Sequence, residues 1–80
     1  HAYAARRCAG GSIEAAYELL APCVERFPEE WLIPYNVACY LCQMERLDEA
    51  RAMLEMARAK GGERVDTMAK DDEDLAPLNL

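Results

Sequence analysis

Cys39-Tyr40-Leu41-Cys42 carries the spacing that serves both redox pairs and zinc sites. A redox pair works at a helix N-terminus, where the dipole lowers the thiol pKa. The apolar periodicity around Cys39 and Cys42 puts them in mid-helix instead. Zinc needs four ligands, and the remaining candidates are Cys8, Cys23 and the one histidine, His1. The reading adopted is small, partly buried apolar thiols in a reducing compartment, with no metal and no cofactor. A thiol-reactive or metal-binding protein is the rival, favoured by Cys8 and Cys42 sharing one position of a repeat described below.

Asp71, Asp72, Glu73 and Asp74 form an acidic run without the spacing of a calcium loop. It reads as a solvated turn in which one Asp caps the last helical turn. Asp48 and Glu49 read as charges at a helix start. No serine or cysteine nucleophile has an internal histidine to pair with, and no glycine-rich phosphate loop occurs, so the chain is not read as an enzyme. The formal charge is −6 with a pI near 4.6, and the nine Lys and Arg residues are scattered among acidic ones. Nucleic acid is therefore not an expected partner. No apolar run approaches the roughly 20 residues that cross a bilayer, so no membrane is expected and the location is read as cytoplasmic.

The elements that carry these residues follow from periodicity. Ile13, Ala16, Leu19, Leu20 and Cys23 recur at helical spacing, as do Leu47, Ala50, Met53, Leu54 and Ala57. Each set predicts one buried stripe. Tyr35, Val37, Ala38, Leu41 and Cys42 predict a further helix, separated from the next by the polar turn Glu45-Arg46. Ser12 is a candidate N-cap, Pro22 should bend the helix that contains it, and Pro28 and Gly61-Gly62 mark ends.

Shifted by 34 residues, the sequence matches itself. Ala4 falls on Ala38, Cys8 on Cys42, Ala16 on Ala50, Leu20 on Leu54 and Glu29 on Glu63, and the tract from Gly11 to Arg26 is copied in character from Glu45 to Lys60. The unit is helix, tight turn, helix. Small residues at Ala4, Ala16, Ala38 and Ala50 let neighbouring helices approach closely.

This pattern resembles the tetratricopeptide repeat. The second unit offers Pro34, Val37, Ala38 and Leu41, then Ala50 and Leu54, then Gly62; the first offers Tyr3, Ala4, Ala16, Leu20 and Pro28. Pro34, Leu41, Arg7 and Gly62 depart from the residues common in the family. The ending from Met68 to Leu78 resembles the close of bacterial members, in which a short last helix with Val65, Met68 and Ala69 turned inward covers the open edge. The resemblance implies an all-α, right-handed solenoid of helical hairpins: residues 1–30 a first unit lacking most of its leading helix, 31–64 a second unit, and 65–80 a capping helix with an acidic tail.

It also implies a protein-interaction module, whose first helices line a concave groove for a peptide or helix of a partner protein. The matching positions are Tyr35, Asn36, Cys39, Cys42 and Gln43, joined by Ala5 and Cys8 of the preceding helix, and they are expected to be exposed. A carboxylate clamp of the kind known in the family finds only Asn36 here. The alternative is a regulatory or assembly segment of a larger protein or enzyme. The edge around Tyr3, Ala4, Ile13 and Tyr17 is expected to be covered, by upstream sequence or by a second copy in a homodimer.

Overall fold

In the computed structural model, which describes residues 13–78, all regular structure is helical and there is no strand among those residues. The elements are α1 (Ile13–Leu20), α2 (Cys23–Arg26), α3 (Leu32–Gln43), α4 (Leu47–Gly61), α5 (Glu63–Asp71) and a 3-10 helix (Glu73–Leu78). The predicted hairpin is present as α3 and α4, which pack more extensively on each other than any other pair.

Helix α3 is the centre of the molecule. Every residue from Pro34 to Cys42 is buried, and no residue from Leu32 to Gln43 is charged. A helix that is apolar on all sides must be covered on all sides. Pro34 lies in its first turn, where the missing N–H would have had no helical acceptor, so the helix loses nothing by it. The other end is closed by a Schellman motif: Arg46 N–H donates to Leu41 C=O at 2.9 Å and Glu45 N–H to Cys42 C=O at 3.1 Å. This closure puts Glu45 in the left-handed region at φ 62°.

Helix α4 has Asp48 and Glu49 in its first turn and Arg58 and Lys60 in its last, both favourable to the helix dipole. Arg46, just before it, reaches forward to pair with Glu49, one guanidinium nitrogen lying 2.9 Å from its carboxylate. Ala50 and Ala57 on its inner face have no exposed surface. The helix ends where side chains would not fit. A Cβ on Gly61 would lie 2.8 Å from Trp31 Cγ, and Gly62 at φ 71°, ψ −149° occupies a region open essentially to glycine alone. Helix α5 then folds back with Val65 and Ala69 buried and Met68 partly so, the faces expected of a covering helix.

The first copy of the repeat is less regular. One bent helix from Ser12 to Phe27 is predicted; in the structure it is two, α1 and α2, parted at Ala21 and Pro22. Proline cannot donate back to Glu18 and crowds the residue before it, so a break replaces the bend. Of the predicted stripe, Ala16 is buried, whereas Leu19 is 72% exposed. Ser12, Ala4, Tyr3 and the candidate groove residues Ala5 and Cys8 lie outside the described residues.

Candidate functional site

Residues one and two turns apart on α3, Tyr35, Cys39 and Gln43, share a face, the one expected to line an open groove. The structure corrects that exposure. Tyr35, Asn36, Cys39 and Cys42 are buried and Gln43 is half-buried. The cover is the chain's own acidic segment, which follows α5 and packs along α3 as the 3-10 helix.

Two polar anchors hold it. The Tyr35 hydroxyl donates to Asp72 Oδ2 at 2.7 Å, and the Gln43 amide nitrogen donates to Asp74 Oδ1 at 3.0 Å. The Cys39 thiol makes a weaker contact with the same Asp72 oxygen at 3.9 Å. Asp72 also organises the segment internally: its Oδ1 accepts the Asp74 N–H at 3.0 Å, and its C=O accepts the Leu75 N–H at 3.1 Å, opening the 3-10 turn. The turn's period of about three places Leu75 and Leu78 on one side. Both are buried, Leu75 completely. The acidic run is thus a solvated turn only in part, since Asp71 and Glu73 are exposed while Asp72 and Asp74 turn inward.

The electrostatics of the face favour holding rather than reacting. Burial, then the hydrogen bond and charge of Asp72, push the Tyr35 hydroxyl above its ordinary range, so it stays a donor. Burial first, then the charges of Asp74 and Asp72 against the opposing Arg51, push the Cys42 thiol up to about 11. A thiol so placed is protonated near neutrality and a poor nucleophile. Neither Cys39 nor Cys42 is in a disulfide, and both side chains are buried. Trp31 completes the end of the face, its ring edge-on to Tyr35 at 5.9 Å between centroids.

Cys39 is the thiol nearest to metal-type chemistry, grouped with two carboxylates. Its sulfur and one oxygen each from Asp72 and Asp74 lie within 4.8 Å of one another, a set that could hold a divalent cation. The same carboxylates already accept from Tyr35, Gln43 and the backbone, so a cation would have to compete with those bonds. Asn36, the one polar side chain in the run from Pro34 to Cys42 apart from the tyrosine hydroxyls and thiols, is 8% exposed, and its Oδ1 has no hydrogen-bond partner among the described residues. Ile13 and Tyr17, from the edge expected to be covered, are half-buried, and the Arg46 guanidinium stacks 5.1 Å from the centre of the Tyr17 ring.

The covering segment was missed in sequence because a run of four acids looks solvated. The signal that could have found it lies in α3: twelve residues without one charge leave no side for water. No helix among the described residues is long and apolar enough to cross a membrane. Compared with family models, curated proteins and solved structures, the chain matches none of them.

Proposed function

We propose that this chain is a protein-interaction module of tetratricopeptide-like, right-handed solenoid design, and that the α3 face carrying Tyr35, Cys39 and Gln43 is where a partner's polypeptide segment is held. One observation carries the reading: this face already holds a short polypeptide segment, Asp72–Leu78, through side-chain hydrogen bonds from Tyr35 and Gln43, and Leu75 and Leu78 of that segment are buried. Polar anchors at the rim with leucines buried between helices are the means by which helical modules hold peptides generally. Tyrosine is frequent among interface residues whose truncation costs 2 kcal/mol or more. The protonated Tyr35 and Cys42 favour binding over catalysis.

Photo-crosslinking tests this reading, with the reactive group in place of the half-buried Gln43 and the captured protein then purified for direct binding. Measured in a chain carrying Asp72→Ala and Asp74→Ala, so that the chain's own segment no longer uses the same donors, Gln43→Ala and Tyr35→Phe should weaken that purified complex several-fold while the melting temperature moves by only a few degrees. No capture from position 43, or a captured protein that binds both variants normally, would put the interaction elsewhere.

A further inference from the structure

The face proposed above as the binding surface is occupied by a segment of this same chain, and that occupant describes what the face accepts. Its residues are Asp72-Glu73-Asp74-Leu75-Ala76-Pro77-Leu78. Asp72 and Asp74 meet the hydroxyl of Tyr35 and the amide of Gln43, donors that suit carboxylate oxygens, while Leu75 and Leu78 are buried where the 3-10 helix packs against α3, α4 and α5. Glu73 points away and is exposed, so the sequence information lies in the pattern acid, any, acid, Leu, any, any, Leu.

We infer that the partner of the α3 face is a segment of another protein with this acid-and-leucine chemistry, and that Asp72–Leu78 is its built-in competitor, a strap that must lift before the partner binds. The inference rests on the reading of α3 as the binding face. A tethered segment competes at an effective concentration on the order of millimolar, so an equal ligand in solution at micromolar concentration loses to it. That argument disfavours a second copy as occupant, since its strap is the same ligand without the tether. A partner succeeds by making contacts that the strap lacks, or after something else opens the strap, and its apparent affinity falls by the fraction of chains that are open.

The pairing geometry supplies the means of opening. Both polar anchors come from two carboxylates at the start of the segment, and neither is fully buried. Losing them frees the segment's leading end while α5, whose Val65 and Ala69 pack independently of those bonds, stays in place.

The test uses the full chain and a synthetic peptide, Asp-Glu-Asp-Leu-Ala-Pro-Leu, followed by chemical-shift changes along α3. The double variant Asp72→Ala, Asp74→Ala should bind the peptide at least about tenfold more tightly than the unaltered chain. Adding Tyr35→Phe should remove much of that gain. Equal affinity for opened and unaltered chains, or equal binding of a peptide with the same residues in scrambled order, overturns the inference. Hydrogen exchange of the unaltered chain gives a check that does not depend on how the variant folds. The Leu75 amide should exchange at least about 100-fold faster than amides in the middle of α4, showing that the strap opens without global unfolding. Exchange of both at one rate makes the segment part of the core and ends the strap reading. Failure of the opened α3 face to hold any segment would sink the proposed function too, whereas a partner seated on α3 with Leu75 still protected would sink only this inference.

Discussion

The two helices that the 34-residue register superimposes, residues 13–26 and 47–60, carry similar apolar patterns but have become different structures. The second is one continuous helix of 15 residues with Ala50 and Ala57 sealed against its neighbours. The first is broken at Pro22 into pieces of 8 and 4 residues, with Leu19 facing outward. Repetition of pattern fixed which residues form helix, but not how much each copy buries. Cover decides that: α4 is flanked by α3, α5 and the 3-10 helix, and stability should therefore be concentrated in the part of the chain from Trp31 to Leu78.

Leucines at opposite extremes of exposure give the sharpest test. Leu75→Ala should destabilise the chain by about 2–5 kcal/mol through lost burial and the cavity left behind. Leu19→Ala, at a residue 72% exposed, should move stability by no more than about 0.5 kcal/mol. Urea midpoints of the two variants decide the matter. Similar losses from both would mean that the two copies share the load equally and that the contrast drawn above is false.

A second difference should appear in alkali. The Cys42 thiol, ordinarily near 9.0, is pushed up to about 11 by burial and by the charges of Asp74 and Asp72. Below pH 9 both folded and unfolded chains hold the proton, and the contribution to stability is fully present. Between pH 9 and 11 the unfolded chain releases it first, so stability falls, by on the order of 2–3 kcal/mol once pH passes 11. Tyr35 is raised as well and steepens the fall above pH 10. Denaturant midpoints at pH 7, 9 and 10.5 should trace this decline, and Cys42→Ala should flatten its first part. A flat profile would show that the covering segment does not desolvate this face.

How far these features could be read from sequence depends on the range of the interactions behind them. The α3–α4 hairpin was legible because its signals are local: apolar spacing of three and four, the polar turn at Glu45-Arg46 and the stop at Gly61-Gly62. The inward turn of Asp72 and Asp74 was not. Their partners, Tyr35 and Gln43, lie 37 and 31 positions away, and nothing near the acidic run distinguishes a carboxylate that meets water from one that meets a tyrosine. The break at Pro22 was half legible. Proline announces a disturbed helix, but whether the chain bends or parts depends on packing that periodicity does not contain.

Paired alanines test the register itself. Ala50→Leu should cost about 1–3 kcal/mol, because α4 has no space on that side and cannot shift away from its neighbours. Ala16→Leu should cost less, since Ile13, Tyr17 and Leu20 beside it are only partly buried and can move. Thermal unfolding of both is sufficient. A larger loss at Ala16 would reverse the order of cover assigned to the two copies.

The smallest effect expected is a gain. Glu45 sits at φ 62°, a conformation that costs a side-chain-bearing residue roughly 1–2 kcal/mol, because the Schellman closure of α3 requires a left-handed residue there. The repeat places Gly11, 34 positions earlier, in the same register, so the sequence uses glycine at one copy of this position and glutamate at the other. Glycine would relieve the strain, but it also adds roughly 0.4–1 kcal/mol of backbone freedom to the unfolded chain. The difference favours glycine, and Glu45→Gly should stabilise the protein by about 0.5–1 kcal/mol. Asn, which tolerates the left-handed region, should fall between glutamate and glycine, while Ala, which relieves nothing, should leave stability near its starting value. Chemical denaturation of the three variants side by side measures the order. If Gly and Ala proved equal, or Gly destabilised, the turn between α3 and α4 would not be held left-handed in solution, and the tight hairpin on which the strap and its face depend would need a different closure.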